Sequence, residues 1–181
     1  MTYRFIGYAI VSADGMLANA SGVIPPPLIV KADQDFFMHG LDAAAALIHG
    51  RNSAEQPTSP SRRRLIATHR IEALAPVEGQ PHALRWNPQG ASVEAALHKL
   101  GVAGGDIAII GGTDVFGLFL SKYDVFHLTR VPHVLLPNGR PLFPGVPEHS
   151  PEALLGEAGL TPGEPQMLDP MRDVSVVMWQ R

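Results

Sequence analysis

Two short glycine-containing segments have the residue types that could hold a phosphate group. Residues 47–53 read Leu-Ile-His-Gly-Arg-Asn-Ser, and residues 109–114 read Ile-Ile-Gly-Gly-Thr-Asp. In each segment a predicted buried strand ends at glycine, where the main chain can approach a ligand closely. If a helix follows, its first backbone N–H groups lack partners and its positive dipole end favours an anion. The pattern therefore predicts a shared diphosphate site, with ordinary tight turns as the alternative interpretation.

Cationic side chains near these junctions indicate which nucleotide would be preferred. Arg51 follows the first glycine directly, and Arg70 lies just after the short apolar segment 64–68. A cation at the adenosine end of a dinucleotide distinguishes a 2′-phosphate from a free ribose hydroxyl. The run Arg62–Arg64 either adds to this charge or is simply a solvated loop.

Several better-known site motifs are absent from the sequence. Gly112 and Gly117 have the spacing of a P-loop, but Leu118 occupies the position of its lysine. The glycines of 101–105 precede a predicted strand instead of following it, which disfavours the usual dinucleotide fingerprint. The eight histidines lack metal-ligand spacing and there is no cysteine, so no metal site is expected. A hydrolase elbow of the form G-x-S-x-G is also missing.

The composition is that of an ordinary packed protein. Its 181 residues are enough for one α/β domain covering 1–181, with 45% apolar and 17% charged residues. A net charge of −3 gives no indication of nucleic-acid binding. The N-terminus lacks a signal-peptide core, and no apolar run approaches the ~20 residues that a membrane helix needs. We therefore expect a cytoplasmic protein that binds neither nucleic acid nor membrane.

Hydrophobic runs and turn residues predict alternating strands and helices. Helices are expected over 33–41, where Asp33 can serve as the N-cap, over 93–100 after the N-cap Ser92, and after Gly112. The segment 147–170 is dense in proline and glycine and is expected to be irregular. The predicted strands are 5–11, 44–48, 64–68, 82–86, 107–110, 123–131 and 173–180. This alternation predicts an α/β fold.

Five segments, taken in order, resemble the dihydrofolate reductase-like superfamily. Residues 12–22, SADGMLANASG, are similar to the S-x-D-G-x-x-A…S-G opening of the riboflavin-pathway reductase domain. Residues 48–53 and 109–116 resemble the apolar-G-R-x-[ST] and I-G-G-x-x-[VLI]-[YF] segments of dihydrofolate reductases. Residues 123–129 and 142–144 are similar to the D-x-[LIVF]-x-L-T strand and the F-P that follows it.

The resemblance implies a single domain with a mixed, mainly parallel eight-stranded sheet flanked by helices. It also implies that NADPH lies across the carboxyl ends of the strands. Carried over by position, the residues that hold phosphates are Gly50, Arg51, Asn52 and Ser53. Those that face the adenosine 2′-phosphate are Thr68, His69 and Arg70. Gly111 and Gly112, joined by a cis peptide, would run beneath the nicotinamide and pyrophosphate. The residues that would begin the next helix are Thr113, Asp114 and Val115.

The same resemblance assigns the reacting end of the site. Asp33 matches the carboxylate that orients the heterocycle and helps deliver a proton, and Thr129 would support it. Phe37 would pack on the substrate ring, and Asp14 would lie beside the substrate. Asp35 remains an alternative carboxylate, because one extra residue separates this segment from the first glycine junction. The alternative, purely structural interpretations are that Asp33 caps the helix and that Asp14 stabilises a turn.

Departures from the family pattern leave the substrate open. Residues 25–28, Pro-Pro-Pro-Leu, replace the Pro-Trp pair of dihydrofolate reductases, and Phe116 replaces a more usual tyrosine. We predict NADPH-dependent reduction of a small heterocyclic or ribosylaminopyrimidine substrate, as in the 5-amino-6-(5-phosphoribosylamino)uracil reductase step of riboflavin biosynthesis. Dihydrofolate reduction is the alternative within the enzyme class, and a non-catalytic NADPH-binding module is the alternative outside it. Homodimerisation agrees with the resemblance, because the riboflavin-pathway relatives pair through their sheets.

Overall fold

A computed structural model describes residues 2–53 and 59–181 of the chain. Within those residues the chain forms twelve strands and four α-helices. The strands are β1 (Tyr3–Ser12), β2 (Met16–Ala18), β3 (Ala46–Gly50), β4 (Arg64–Ala67), β5 (Leu74–Val77), β6 (Gln80–Trp86), β7 (Gly105–Ile109), β8 (Val125–Val131), β9 (Arg140–Pro141), β10 (Thr161–Pro162), β11 (Gln166–Asp169) and β12 (Val174–Gln180). The helices are α1 (Lys31–Ala43), α2 (Val93–Lys99), α3 (Thr113–Leu118) and α4 (Pro151–Glu157).

One mixed sheet organises these elements. Its order is β10-β12-β8-β1-β7-β3-β4-β6-β5, with β11 also paired to β12, and β2 pairs separately with β9. The six central strands from β8 to β6 run parallel, whereas β12 joins β8 and β5 joins β6 in antiparallel fashion. The predicted α/β fold with a mainly parallel sheet and flanking helices is confirmed. The expected eight strands become ten, because short strands extend both edges.

Helices cover both faces of this sheet. Successive side chains of each strand point to opposite faces, so each strand contributes to the packing on both sides. Along β1, Phe5 and Val11 point into the larger cluster, which contains buried side chains of α2, α3 and α4. Tyr8 lies on the opposite face, in a smaller cluster with Leu41 of α1 and Leu47 of β3. A parallel sheet buried on both faces needs continuous apolar runs, and residues 46–48 of β3 and 107–109 of β7 form such runs. Because the central strands run parallel, their carboxyl ends lie together along one side of the sheet, which we call the carboxyl edge.

Two predictions of local structure need correction. Helix α1 begins at Lys31 with Val30 as its N-cap, so Asp33 lies inside the first turn and does not cap the helix. The segment 147–170 is not irregular, because it contains α4, β10 and β11. Helix α4 begins after Ser150, whose hydroxyl accepts a hydrogen bond from the Ala153 amide at 3.1 Å. A serine followed by proline at the first helical position is a standard start signal, and it outweighs the surrounding glycines.

The remaining predicted elements agree with the structure to within a few residues at their ends. Ser92 caps α2 through a hydrogen bond from the Ala95 amide at 3.1 Å, as predicted. The proline, serine and glutamine content of residues 54–63 predicts a surface loop, and part of it lies outside the described residues. No helix in the described ranges combines the length and the apolar character that crossing a bilayer requires.

Candidate functional site

The two glycine junctions lie directly against each other. The Gly50 amide donates a hydrogen bond to the Gly111 carbonyl oxygen at 2.7 Å. A Cβ atom placed on Gly50 would lie 3.5 Å from the Val115 side chain and 3.6 Å from the Gly112 nitrogen. This contact follows from the topology, because β3 and β7 are parallel neighbours that end at the same edge. The chain therefore has two adjacent backbone turns of the kind that can hold a diphosphate.

Gly111 and Gly112 differ in what surrounds them. Gly111 has φ +106°, and a Cβ on it would meet the ring of Phe116 at 2.9 Å. Gly112 has φ −80°, and a Cβ there would meet nothing within 4 Å. The peptide between them is cis, as the resemblance implied. Open space beside Gly112 leaves its backbone accessible, and the first amides of α3 have no intrahelical acceptor.

The other candidate cofactor residues follow the same edge of the sheet. Arg51 and Asn52 are exposed in a short 3-10 turn, Arg51–Ser53, that continues β3. Thr68, His69 and Arg70 follow β4, the parallel neighbour of β3, and the Thr68 hydroxyl accepts a hydrogen bond from the Arg70 amide at 3.2 Å. The sheet order thus places these groups in one row across β7, β3 and β4.

The basic run Arg62–Arg64 is not part of this row. The run ends at Arg64, the first residue of β4, so it lies at the amino ends of the strands. Arg62 forms an ion pair with Asp42 near the end of α1. Two cavities, of about 290 and 560 Å³, open at this opposite edge, and both are lined in part by Ser61 and His82. The structure therefore places this run away from Thr68, His69 and Arg70, the residues predicted to face the adenosine 2′-phosphate.

Asp33 of α1 and Thr129 of β8 face each other. Burial raises the pKa of the Asp33 carboxyl, and the opposing Thr129 hydroxyl, as a hydrogen-bond donor, lowers it in part. Thr129 is almost fully buried on β8. Asp35 is exposed and forms an ion pair with Lys31 at 2.9 Å. Of the two carboxylates left open by the sequence, Asp33 is thus the one that faces the sheet.

Aromatic rings of α1, β1 and β8 pack together on the α1 side of the sheet, and the sequence analysis identified only Phe37 among them. Phe37 packs edge-on against Tyr8, with ring centroids 6.0 Å apart. His127, two residues before Thr129 and on the same face of β8, stacks on Tyr8 at 4.9 Å and meets Phe36 edge-on at 5.1 Å. Burial lowers the pKa of His127 to about 4, so the ring is neutral at physiological pH. The two-residue spacing from Thr129 was the available signal for His127.

Asp14 makes contacts that belong to the loop itself. Its carboxylate accepts hydrogen bonds from the Ser12 hydroxyl at 2.5 Å and from the Leu136 amide at 3.0 Å. Burial raises the pKa of Asp14, but these hydrogen bonds outweigh it, so the net pKa is lowered. The bond from Ser12 is local to the loop, and the bond from Leu136 connects the β1–β2 loop to the chain that follows β8.

The start of α3 is tied to the neighbouring β2–β9 pair. The Thr113 hydroxyl donates a hydrogen bond to the Pro141 carbonyl oxygen at 2.5 Å, whereas Asp114 is exposed and Val115 is buried. Phe116 is also buried and packs edge-on against Phe126 at 5.8 Å. Its ring therefore belongs to the core, with one edge against Gly111.

Comparisons with known proteins give a match in structure only. No family model and no curated protein sequence matches the chain. A dihydrofolate reductase from Enterococcus faecalis, solved in complex with NADP(H), has a TM-score of 0.66 at 17% identity, covering 100% of this chain and 99% of that one. A pyrimidine reductase-like protein from Corynebacterium diphtheriae has a TM-score of 0.68 at 16% identity, covering 98% and 91%.

A third solved structure is a diaminohydroxyphosphoribosylaminopyrimidine deaminase/5-amino-6-(5-phosphoribosylamino)uracil reductase from Thermotoga maritima. Its TM-score is 0.68 at 15% identity, and the match covers 99% of this chain but only 56% of the Thermotoga protein. The TM-scores of 0.66 to 0.68 over nearly the whole chain establish the fold, and at identities of 15% to 17% they establish nothing beyond it. The chain has the dihydrofolate reductase-like fold.

Proposed function

We propose that the protein is an NADPH-dependent reductase that transfers hydride to a small heterocyclic substrate. One observation carries this proposal: the Gly50 amide bonds the Gly111 carbonyl, so two glycine turns that can bind phosphate lie against each other at the carboxyl ends of β3 and β7. The same edge carries the exposed Arg51 and Arg70, which suit an adenosine 2′-phosphate.

The order of the strands supports a suitable distance between coenzyme and carboxylate. Gly111 follows β7, and Thr129 with its partner Asp33 lies at β8, two strands away across β1. Neighbouring strands are about 4.8 Å apart, so the two groups are separated by roughly 10 Å. In the proposed complex, a planar heterocycle lies between a nicotinamide held at the glycine junction and the Asp33 carboxyl.

Each residue of the chain then has a definite task. NADPH, when bound, supplies the hydride at C4 of its nicotinamide. Asp33 binds the polar edge of the heterocycle and holds a proton there, which its raised pKa favours. Thr129 fixes the orientation of the carboxyl, and Phe37 packs on the ring of the substrate. Gly112, open to its surroundings, lets the main chain lie against the coenzyme.

For the substrate, we propose a ribosylaminopyrimidine phosphate of the kind reduced in riboflavin biosynthesis. Such a ligand needs a cation, and Arg140 is exposed on β9, next to the Pro141 carbonyl that binds Thr113 at the start of α3. Arg140→Ala would then raise the KM for the phosphorylated pyrimidine and leave the KM for NADPH unchanged.

Dihydrofolate is the second candidate, because other arginines on this side of the molecule are already bonded within the protein and are not free to bind a substrate phosphate. Arg130 is engaged by Glu152 and by the carbonyls of Ser12 and Ala13, so it is not free for a phosphate. Arg172 likewise bonds the carbonyl oxygen of Ile29, just before α1. Exposed apolar side chains, Ile29 among them, could instead contact an aromatic tail.

Parallel assays separate these functions. NADPH consumption would be followed with dihydrofolate and with the aminouracil ribosyl and ribityl phosphates, using the purified chain. Turnover of a pyrimidine phosphate supports the first candidate, and turnover of dihydrofolate supports the second. Tight NADPH binding without turnover of any of them would indicate a non-catalytic coenzyme-binding module. A chain that binds no NADPH contradicts the proposal as a whole.

A further inference from the structure

His49 is a fully buried histidine on the strand that ends at the first glycine junction. Strand alternation places it on the same face as Leu47, whose cluster includes Leu41, Ala108 and Ile110. The site described above does not use it. A polar ring at a fully buried position between apolar side chains requires an explanation.

The hydrogen bond of the His49 ring determines its tautomer. Nδ1 lies 2.8 Å from the Gly50 carbonyl oxygen, which can only accept, so Nδ1 carries the proton. Burial lowers the pKa of His49, which keeps the ring neutral and leaves Nε2 without a proton. Within the described residues, Nε2 has no hydrogen-bond partner. The ring is therefore a neutral donor through Nδ1, and the polar function of this side chain lies in that one bond.

This bond controls the direction of the next amide. The Gly50 amide is fixed by the Gly111 carbonyl at 2.7 Å, and the Gly50 carbonyl is fixed by His49. The Gly50–Arg51 peptide is planar and trans, so its C=O and N–H groups point in opposite directions. Because the His49 ring holds the Gly50 carbonyl, the Arg51 N–H points away from that buried ring, and Arg51 itself is exposed.

We propose that His49 is a positioning residue that, through the Gly50 carbonyl, orients the Arg51 amide toward the diphosphate of the coenzyme. This inference rests on the proposed function. Leucine at position 49 would fill a similar volume without a polar atom, but it would release the Gly50 carbonyl. Asparagine would place its amide nitrogen near the position of Nδ1 and could restore the bond.

The test compares His49→Leu and His49→Asn with the wild type, and with His98→Leu on the exposed face of α2 as a control. The dissociation constant for NADPH and the melting temperature would be measured for each. We expect His49→Leu to bind NADPH about tenfold more weakly, the equivalent of one charge-assisted hydrogen bond, without a lower melting temperature. His49→Asn should recover most of the affinity. Equal affinity in His49→Leu and wild type overturns the inference.

A measurement on the wild type does not depend on folding of a variant. Nitrogen-15 NMR of the histidine rings reports which nitrogen carries the proton, and we expect Nδ1–H for His49. An Nε2–H tautomer overturns the inference even if NADPH binds well, and then the proposed function survives. If the wild type binds no NADPH, the proposed function fails, and this inference fails with it.

Discussion

The Asp33 carboxyl is a group on which burial and a single hydroxyl act in opposite directions. Burial raises its pKa and the Thr129 hydroxyl lowers it, with burial the stronger of the two. A carboxyl with a raised pKa binds its proton more tightly in the folded state than in the unfolded state. Stability is therefore lost as the pH rises from about 4, the ordinary value, through the folded pKa, and is level above it.

Replacement of this residue gives the first prediction. Asp33→Asn should lower kcat by roughly 100-fold, since the proton-holding group is gone, while the dissociation constant for NADPH stays the same. The free energy of unfolding of the variant, relative to that of the wild type, should also be higher at pH 7 than at pH 3. Steady-state kinetics and urea titrations at both pH values measure these effects. Asp35→Asn is the matched control, and a loss of turnover there instead would move the role to Asp35.

Arg51 gives a prediction about coenzyme choice. Arg51→Ala should weaken NADPH binding by about tenfold or more and leave NADH binding nearly unchanged, because only NADPH carries the 2′-phosphate. Arg63→Ala, an exposed arginine at the opposite edge of the sheet, is the control. The ratio of the two dissociation constants is the quantity to compare. Equal losses for both coenzymes would remove the 2′-phosphate assignment.

At the scale of single elements, helix boundaries depend on short polar signals. Ser150 accepts the Ala153 amide and starts α4 within a segment otherwise rich in proline and glycine. Ser150→Ala should lower the free energy of unfolding by about 1 kcal/mol, because one first-turn amide loses its acceptor. Ser150→Asp keeps an acceptor there and should remain near wild type. Urea denaturation distinguishes the two, and identical midpoints would show that the cap contributes nothing.

The glycine turn before α3 offers a second test at the same scale. Gly111→Ala should destabilise the fold by about 1–2 kcal/mol or more, because φ at Gly111 is positive and the added Cβ would meet the Phe116 ring. Gly112→Ala has open space around its Cβ and should fold normally. If the coenzyme lies against this turn, Gly112→Ala should still bind NADPH more weakly. Normal NADPH binding by a folded Gly112→Ala would place the coenzyme elsewhere.

At the scale of the whole molecule, the candidate site is a product of strand order. Parallel strands β8, β1, β7, β3 and β4 end at one edge, so residues far apart in the sequence become neighbours. Gly50 reaches Gly111, and Asp33 reaches Thr129, only because the crossover helices return each strand in the same direction. The amino ends, where Arg62–Arg64 lies, are separated from this edge by the length of the strands.

The sequence alone predicted those features that depend on residues adjacent in the chain. Apolar runs ending at glycine, the serine before α2 and the alternation of strands and helices depend on neighbouring residues, and they predicted the α/β fold. Tertiary structure decided which carboxylate faces the sheet, which arginines share the edge of the glycine turns, and that His49 bonds the Gly50 carbonyl. These depend on helix rotation, strand order and burial, which arise from packing across the whole chain and leave no signal at fixed spacing.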